Sequence, residues 1–584
     1  MQERITARTS VLLVVLVVLG VYYPAIFAPI NSIDDPGTIT YLLNTDSFNL
    51  RDIFTPGAVY FRPLLLLSFM ADKYLWGLQE SFMHLENVLF HLVNALLLLA
   101  VARRVAARLA IASPLVPLAA ALLFALHPIN TESVNWISGR TDPLACIFIL
   151  ASLFFLLKPA EPSRVAPAAS VLGALSILAA CLVKETSIFF LPAALIFPFF
   201  LSGKGGGRIP LREALLRNWP HLLVMLSTGI GFFVFRRIGS HSRDAGVARV
   251  VTHVAGHDSA GAAVNARLVF KAAGFYLKKL FVPFPLNFGI IHVSDLYLPV
   301  GVAVCLLGLW LLRRRTLTAY FFLCALAVAC SALLVPLLNL TWTPLAERYL
   351  YVPSAFFALG CVFGVESLPF AGRHRKGVSI LFLALLGIAV WGTATRTMLW
   401  QDNLALFQDT LKKSPGFVPA QNEIAIALYD RGETRKATGV LSSMETPASL
   451  INYQYGLMTK ATVEIRKGDL DAGQAVLEKA LAEPGKHEAD IIRRLLAVYD
   501  LKVQKDKRQS AKLYPKSVRL LTRLYQITGD PFYQYRLGII HLAEHQDALA
   551  RECFATAAAR APANAVYRQP ALKLAQKLAN RTSP

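Results

Sequence analysis

The sequence predicts an all-α polytopic membrane protein, with about eleven transmembrane helices in residues 1–400 and an α-helical repeat solenoid in residues 401–584. Three observations carry that expectation. The chain is 55% hydrophobic and only 16% charged over 584 residues, with a mean hydropathy of +0.48, too apolar for a soluble chain of this size. Long apolar runs follow one another with basic residues in every second gap. From Asn403 onward the composition turns to that of a soluble helical sequence. The net charge of +22 does not point to nucleic acid, because much of the Lys and Arg sits in short clusters between apolar runs rather than on one amphipathic face. Six of the seven cysteines lie inside apolar runs, which is neither a disulfide framework nor a zinc site.

Spans of bilayer length fall near 10–29, 84–102, 114–133, 143–157, 167–183, 186–202, 219–236, 298–312, 317–338, 350–367 and 377–396. The first follows Arg4 and Arg8 and imitates a signal peptide. Tyr22 to Phe27 carry it to spanning length without a clear cleavage site, so it reads as an uncleaved helix with a cytoplasmic N-terminus. Every second gap then holds a basic cluster: Arg103, Arg104 and Arg108; Lys158 and Arg164; Lys204, Arg208, Arg212 and Arg217; Arg313 to Arg315; Arg373, Arg375 and Lys376. The positive-inside rule puts these on the cytoplasmic side, and the other loops and the C-terminal region on the far side.

Two far-side loops are long. Residues 30–83 carry Asp34 and Asp35, then Tyr60-Phe61-Arg62-Pro63 and an apolar piece, Leu64 to Gly77, expected to be a helix in or dipping into the membrane surface. Residues 237–297 contain Val264 to Phe281. There Arg267, Lys271 and Lys278 share one side of a helical wheel and Val269, Ala273, Tyr276 and Leu280 the other, the pattern of an interfacial amphipathic helix ended by Pro283 and Pro285. In the C-terminal region, Leu537-Gly538 followed by Ala550, Phe554, Ala557 and Pro562 fits a tetratricopeptide repeat. Weaker copies carry Ala425, Gly432, Ala437 and Leu441, and Ala461, Gly468-Asp469, Leu477, Ala480 and Pro484. Such an array is read as a peptide-binding surface without chemistry of its own.

Charged groups at the ends of spans are costly and therefore functional candidates. Here they converge on the far side: Asp34 and Asp35; His127 to Glu132; Ser138-Gly139-Arg140-Thr141-Asp142; Lys184-Glu185-Thr186; Glu347-Arg348-Tyr349. This set suits transfer of an activated sugar from a lipid phosphate. A carboxylate takes the proton of an attacking hydroxyl, and cations hold the phosphate that leaves. Asp34 is the first choice of base, with Asp35 its helper or rival. Lys184, Arg140 and Arg348, with His127 as a further donor, are the expected phosphate ligands. Arg62, Glu185, Glu347 and Tyr349 are expected to support them.

Each group also has a plainer reading. The Asp pair serves equally as a cap for a helix beginning near Gly37. Lys184 with Glu185, Arg140 with Asp142, and Glu347 with Arg348 each serve as self-neutralising ion pairs. His127 before a proline serves as a helix-end donor, and His84 with His91 as packing on one helix face.

These residues resemble a known family. Asp34-Asp35, Phe61-Arg62-Pro63-Leu64, His84 to His91, His127 to Val134, Ser138-Gly139-Arg140, Val183-Lys184-Glu185-Thr186 and Ala346 to Ser354 are similar, in order, to the transmembrane and tetratricopeptide repeat containing (TMTC-like) proteins. These are GT-C glycosyltransferases related to the protein O-mannosyltransferases. The resemblance implies a multi-spanning GT-C fold with the catalytic acidic pair in the first non-cytoplasmic loop. It implies a polyprenyl-phosphate-linked monosaccharide, typically mannose, as donor, and no separate cofactor. Asp34 and Asp35 match the acidic pair; Lys184, Arg140 and Arg348 match positions near the lipid phosphate. The repeats are few and degenerate, which leaves the acceptor open between protein Ser or Thr, a lipid and a polysaccharide. Short loops and the lack of an N-terminal extension read as bacterial, with undecaprenyl phosphate as carrier, the inner membrane as location and the periplasm as the far side. No metal cluster is read from the sequence, and a divalent ion stays open. A membrane-anchored scaffold without catalysis is the alternative from another class.

Overall fold

The computed structural model of the chain describes residues 2–43, 62–158, 164–201, 210–239, 259–338, 343, 345–443, 450–482, 488–561 and 565–581. Tyr60, Phe61, Lys204, Arg208, Pro484 and Pro562, named above, lie outside them. The chain divides into two compact units. The first holds Met1–Pro36 and Ile53–Ser414, the second Gly37–Asp52 and Pro415–Pro584. Both are helical, and an antiparallel bridge joins Ile290 with Leu345.

In chain order the helices up to Ser414 are α1 (Gln2–Tyr22), α2 (Asp35–Leu43), α3 (Pro63–Trp76), α4 (Glu80–Arg108), α5 (Leu115–Ala125), α6 (Thr131–Asn135), α7 (Thr141–Leu156), α8 (Pro167–Val183), α9 (Leu191–Ile196), α10 (Leu211–Gly239), α11 (Ser259–Phe281), α12 (Tyr297–Arg314), α13 (Leu317–Leu338), α14 (Tyr351–Glu366), α15 (Pro369–Arg373), α16 (Arg375–Leu399) and α17 (Asn403–Lys413). Among the described residues, seven helices are long and apolar enough to cross a bilayer: Arg8–Phe27, Glu80–Arg108, Ile137–Leu156, Tyr297–Arg314, Leu317–Val335, Glu347–Glu366 and Arg375–Leu399. The pair α5 and Pro128–Asn135, bent by 45°, is long and apolar enough only when its two helices are taken together. The other three expected spans are shorter or interrupted. α8 ends after 17 residues, where Lys184 turns extended. The following segment is cut into 3-10 and α pieces with Pro192 and Pro198 at their starts. α10 loses helical geometry at Asn218, two residues before Pro220, because a proline ring cannot donate to the helix and clashes with the carbonyl a turn earlier.

The membrane unit packs around a polar hub that the sequence suggested only as packing. His91 of α4 bonds the Tyr351 hydroxyl at 2.6 Å and the Ala125 carbonyl at 3.0 Å, tying three helices together. Tyr22 and Phe124 close over the imidazole ring. α3 begins at Pro63 and ends at Gly77 in the left-handed conformation (φ 63°), the arrangement that proline at the first turn and glycine past the last favour. α11 crosses α12 so closely that a Cβ on Gly301 would overlap the Phe270 carbonyl. Its Arg267 and Lys271 both pair with Asp295, so the cationic face is partly neutralised within the protein.

The second unit continues with α18 (Val418–Asp430), α19 (Thr434–Ser443), α20 (Leu450–Arg466), α21 (Leu470–Ala482), α22 (Glu488–Lys505), α23 (Ser510–Thr528), α24 (Phe532–Ala543), α25 (Asp547–Arg560) and α26 (Arg568–Arg581). Each packs mainly on its sequence neighbours, the local-contact pattern of a helical array. Gly538 of α24 lies against the Phe554 ring of α25, closer than any Cβ allows, while Leu537, Ala550, Phe554 and Ala557 are buried.

Candidate active site

Three breaks in the helices of the first unit build the site, and all have the same form. An extended residue is followed by a short 3-10 turn: Trp136 before Ile137–Arg140, Lys184 before Glu185–Phe190, and Ala346 before Glu347–Leu350. A fourth break is at His127, where Pro128 forces the preceding residue out of helical geometry. In a membrane such breaks persist only where the freed backbone groups find partners inside the protein. Acidic side chains supply several of those partners here.

Glu132 accepts from the backbone N–H groups of Glu347 and Arg348, both at 3.1 Å, and from the Arg348 guanidinium at 2.5 Å. Arg348 also donates to the Tyr349 hydroxyl at 3.3 Å and lies 4.9 Å from that ring's centre. Lys184 also lies near this ring, its ammonium 5.6 Å from the Tyr349 centroid and 2.6 Å from Asp142 Oδ1. Both cations thus lie close to the Tyr349 ring. Beside them opens a pocket with apolar walls of Ala145, Ile149, Val328, Ala332, Val335 and Val352, and polar groups from Asp142, Lys184, Thr186, Ser187, Ser331 and Tyr349.

The acidic pair splits. Asp35 is fully buried and accepts from Asn31 N at 3.0 Å and from Ser138 N and Oγ at 2.9 and 2.5 Å. Burial pushes its pKa up to about 6 against the pull of these donors. Asp34 is exposed. Ser138 and Asp142 are four residues apart on a continuous right-handed stretch, roughly 6–8 Å along its axis. The acidic loop and the Lys184 pocket therefore meet at the same short segment.

Two expected phosphate ligands are placed differently. Arg140 is fully buried, with donors to Asp72 Oδ2 at 2.6 Å, Glu86 Oε2 at 3.4 Å, Asn87 Oδ1 at 3.2 Å and the Met83 carbonyl at 3.1 Å. It is a strut tying the segment after Trp136 to α3 and α4, not a group facing a ligand. Burial and the neighbouring Glu86 hold the Asp72 carboxyl above the ordinary range, against the Arg140 guanidinium. His127 is buried as well, its Nε2 2.9 Å from the Leu280 carbonyl and its Nδ1 accepting from Ile129 N at 3.3 Å, so both ring nitrogens bond within the protein. Of the supporting residues, Arg62 holds Glu185 through two 2.8 Å bonds, and Glu347 is paired with Lys279 at 2.6 Å.

Glu132, Asp72 and Lys279 take part without a role in the sequence reading, and Asp142 pairs with Lys184 in place of Arg140. Glu132 and Asp142 stood in the quoted motifs. Asp72 is a lone acid in the apolar stretch Leu64 to Trp76, and an isolated charge in such a run is the sequence signal that marks it. Among the described residues no group of three His, Cys, Asp or Glu side chains is arranged to hold a metal ion.

No family model matches the chain. It is similar to human protein O-mannosyl-transferase TMTC1, 26% identical over 462 residues, covering 70% of this chain and 50% of that protein. Mouse protein O-mannosyl-transferase TMTC3 is 25% identical over 411 residues, covering 65% and 43%. Human protein O-mannosyl-transferase TMTC4 is 26% identical over 432 residues, covering 65% and 56%. The chain spans about half the length of the curated relatives it matches.

Proposed function

We propose that this chain, a TMTC-like membrane protein, is a glycosyltransferase that moves a monosaccharide, mannose, from a polyprenyl phosphate to an acceptor hydroxyl. The observation that carries the reading is the pair of cations close to Tyr349, with Lys184 and Tyr349 themselves lining a pocket whose other walls are largely apolar. A lipid phosphate needs both halves of that arrangement: positive charge for the anion and an apolar surface for the first units of the tail. The names of the relatives support the sugar and the protein acceptor.

In this reading Asp34, the exposed carboxylate, takes the proton of the acceptor hydroxyl as its oxygen bonds the anomeric carbon. The bond from that carbon to the phosphate oxygen breaks and its electron pair stays on the phosphate, where Lys184 and Arg348 stabilise the growing charge. Attack opposite the leaving phosphate inverts the anomeric centre. Asp35 positions the loop through Ser138, and Arg62 fixes the Glu185 turn that follows Lys184. The GT-C class, the orientation with a cytoplasmic N-terminus, tetratricopeptide-type repeats that present a polypeptide in the periplasm, and a bacterial inner membrane complete the proposal.

The test is transfer of labelled mannose from polyprenyl phosphate to a Ser/Thr peptide by purified protein in nanodiscs. Asp34→Asn should lower the rate by about two to four decades with unchanged unfolding. Undiminished transfer by that variant would remove Asp34 as base. No transfer by the wild type to peptide, lipid or polysaccharide would leave the scaffold reading.

A further inference from the structure

Resting on the reading above, we propose that Asp142 is the displaceable counter-anion of the phosphate site. It holds Lys184 before the donor binds, yields that ammonium to the donor's phosphate, and by returning to it expels the lipid phosphate product.

The two ion pairs beside Tyr349 are built differently. Glu132 is locked in place. Besides the Arg348 guanidinium it accepts the two backbone N–H groups that open the 347–350 turn, and moving it would leave buried donors without an acceptor. Asp142 has a lighter hold. Its Oδ1 takes the Lys184 bond, and its Oδ2 is approached by the Thr141 hydroxyl at 3.4 Å. Both members of this pair line the pocket, and their side chains keep 13% and 7% of their surface exposed, against 10% for Arg348 and 3% for Glu132. A Lys ammonium on a flexible stem changes partner more readily than a guanidinium held in a fixed fork. The pocket-facing pair is thus the one built to open.

Charge decides the consequence. Lys184, Arg348, Asp142 and Glu132 sum to zero, so a donor phosphodiester that takes the place of Asp142 at Lys184 brings the site to one negative charge, and the displaced carboxylate repels it. Transfer leaves the electron pair of the broken bond on the phosphate, and the resulting monoester carries up to two charges near neutral pH. Asp142 opposes the product more strongly than the donor. Neutralising Asp142 must therefore tighten the product more than the donor.

The experiment uses the full chain in zwitterionic nanodiscs and farnesyl phosphate as a soluble probe of the product. Asp142→Asn and, as a second neutral variant, Asp142→Ser should bind the probe about tenfold tighter than wild type. Asp142→Glu, which keeps the charge, should show no gain, and Lys184→Gln added to Asp142→Asn should abolish it. In turnover, Asp142→Asn should lower the product-inhibition constant about tenfold and the donor KM by a smaller factor. Equal probe binding by wild type and both neutral variants overturns this inference alone. Absence of probe binding in wild type and variants alike removes the phosphate site, and the inference with it.

Discussion

Replacing Arg140 by Met separates a buried strut from a ligand to phosphate. In the structure Arg140 and Asp72 show no exposed side-chain surface and stand 2.6 Å apart. Removing one partner of such a pair costs about 3–5 kcal/mol, because the other is left buried and uncompensated. The cost should depend on pH. The folded-state pKa of Asp72 is raised, so its contribution to stability is complete below the unfolded pKa and lost as pH rises through the folded one. Without Arg140 that folded pKa climbs further. Between the two values the deficit of the variant should widen by about 1.4 kcal/mol per pH unit, and it should be smaller in mild acid than at pH 8. The assay is the unfolding midpoint in nanodiscs for wild type, Arg140→Met, Asp72→Leu and the double variant, at two pH values. A strut predicts that the double variant, with an apolar pair in place of the ions, recovers most of the loss and also recovers farnesyl phosphate binding. A coupling below about 0.5 kcal/mol, or a stable double variant that no longer binds the probe, would refute the strut.

Asp35→Asn should remove a pH dependence that wild type shows. With a folded pKa of about 6 against an unfolded value near 3.9, Asp35 contributes about 3 kcal/mol of stability that is present below pH 4 and lost between about pH 4 and 6. The difference in unfolding midpoint between wild type and variant across that window is the measurement. Gly301→Val should separate α11 from α12, since its side chain would enter the Phe270 backbone, and a cysteine crosslink engineered between the two helices should form in wild type and fail in the variant. Phe554→Ala empties a fully buried site against Gly538 and should cost the second unit about 3–5 kcal/mol, read as faster proteolysis within 532–560 with the spans of the first unit still protected.

Much of the fold was legible from residues near one another in the chain. The apolar runs predict helices whose length the bilayer demands, and the expected third span is found bent at His127-Pro128, because a proline acts on its own turn. Eight of the eleven expected spans are full helices or a bent pair. The others differ because a window of apolar residues does not register where Lys184 turns extended or where prolines divide a segment into 3-10 and α pieces. The gathering of Asp35, Asp142, Lys184, Glu132 and Arg348 was foreseen as a convergence of polar turns. The individual jobs were not, and Arg140 and His127, expected to face a phosphate, are spent on holding the turns together.

By itself the sequence determined which segments are apolar, where they stop and which charged residues sit at the stops. Only the tertiary structure decided which charge meets which. Lys184 does not pair with Glu185, nor Glu347 with Arg348, nor Arg140 with Asp142. Their partners are Asp142, Arg62, Lys279, Glu132 and Asp72, between 42 and 216 residues away in the chain. The reason is geometric. Successive side chains point about 100–120° apart in a helical turn and to opposite sides of an extended residue, so neighbours in sequence are turned away from one another. Each looks for its opposite charge on another helix.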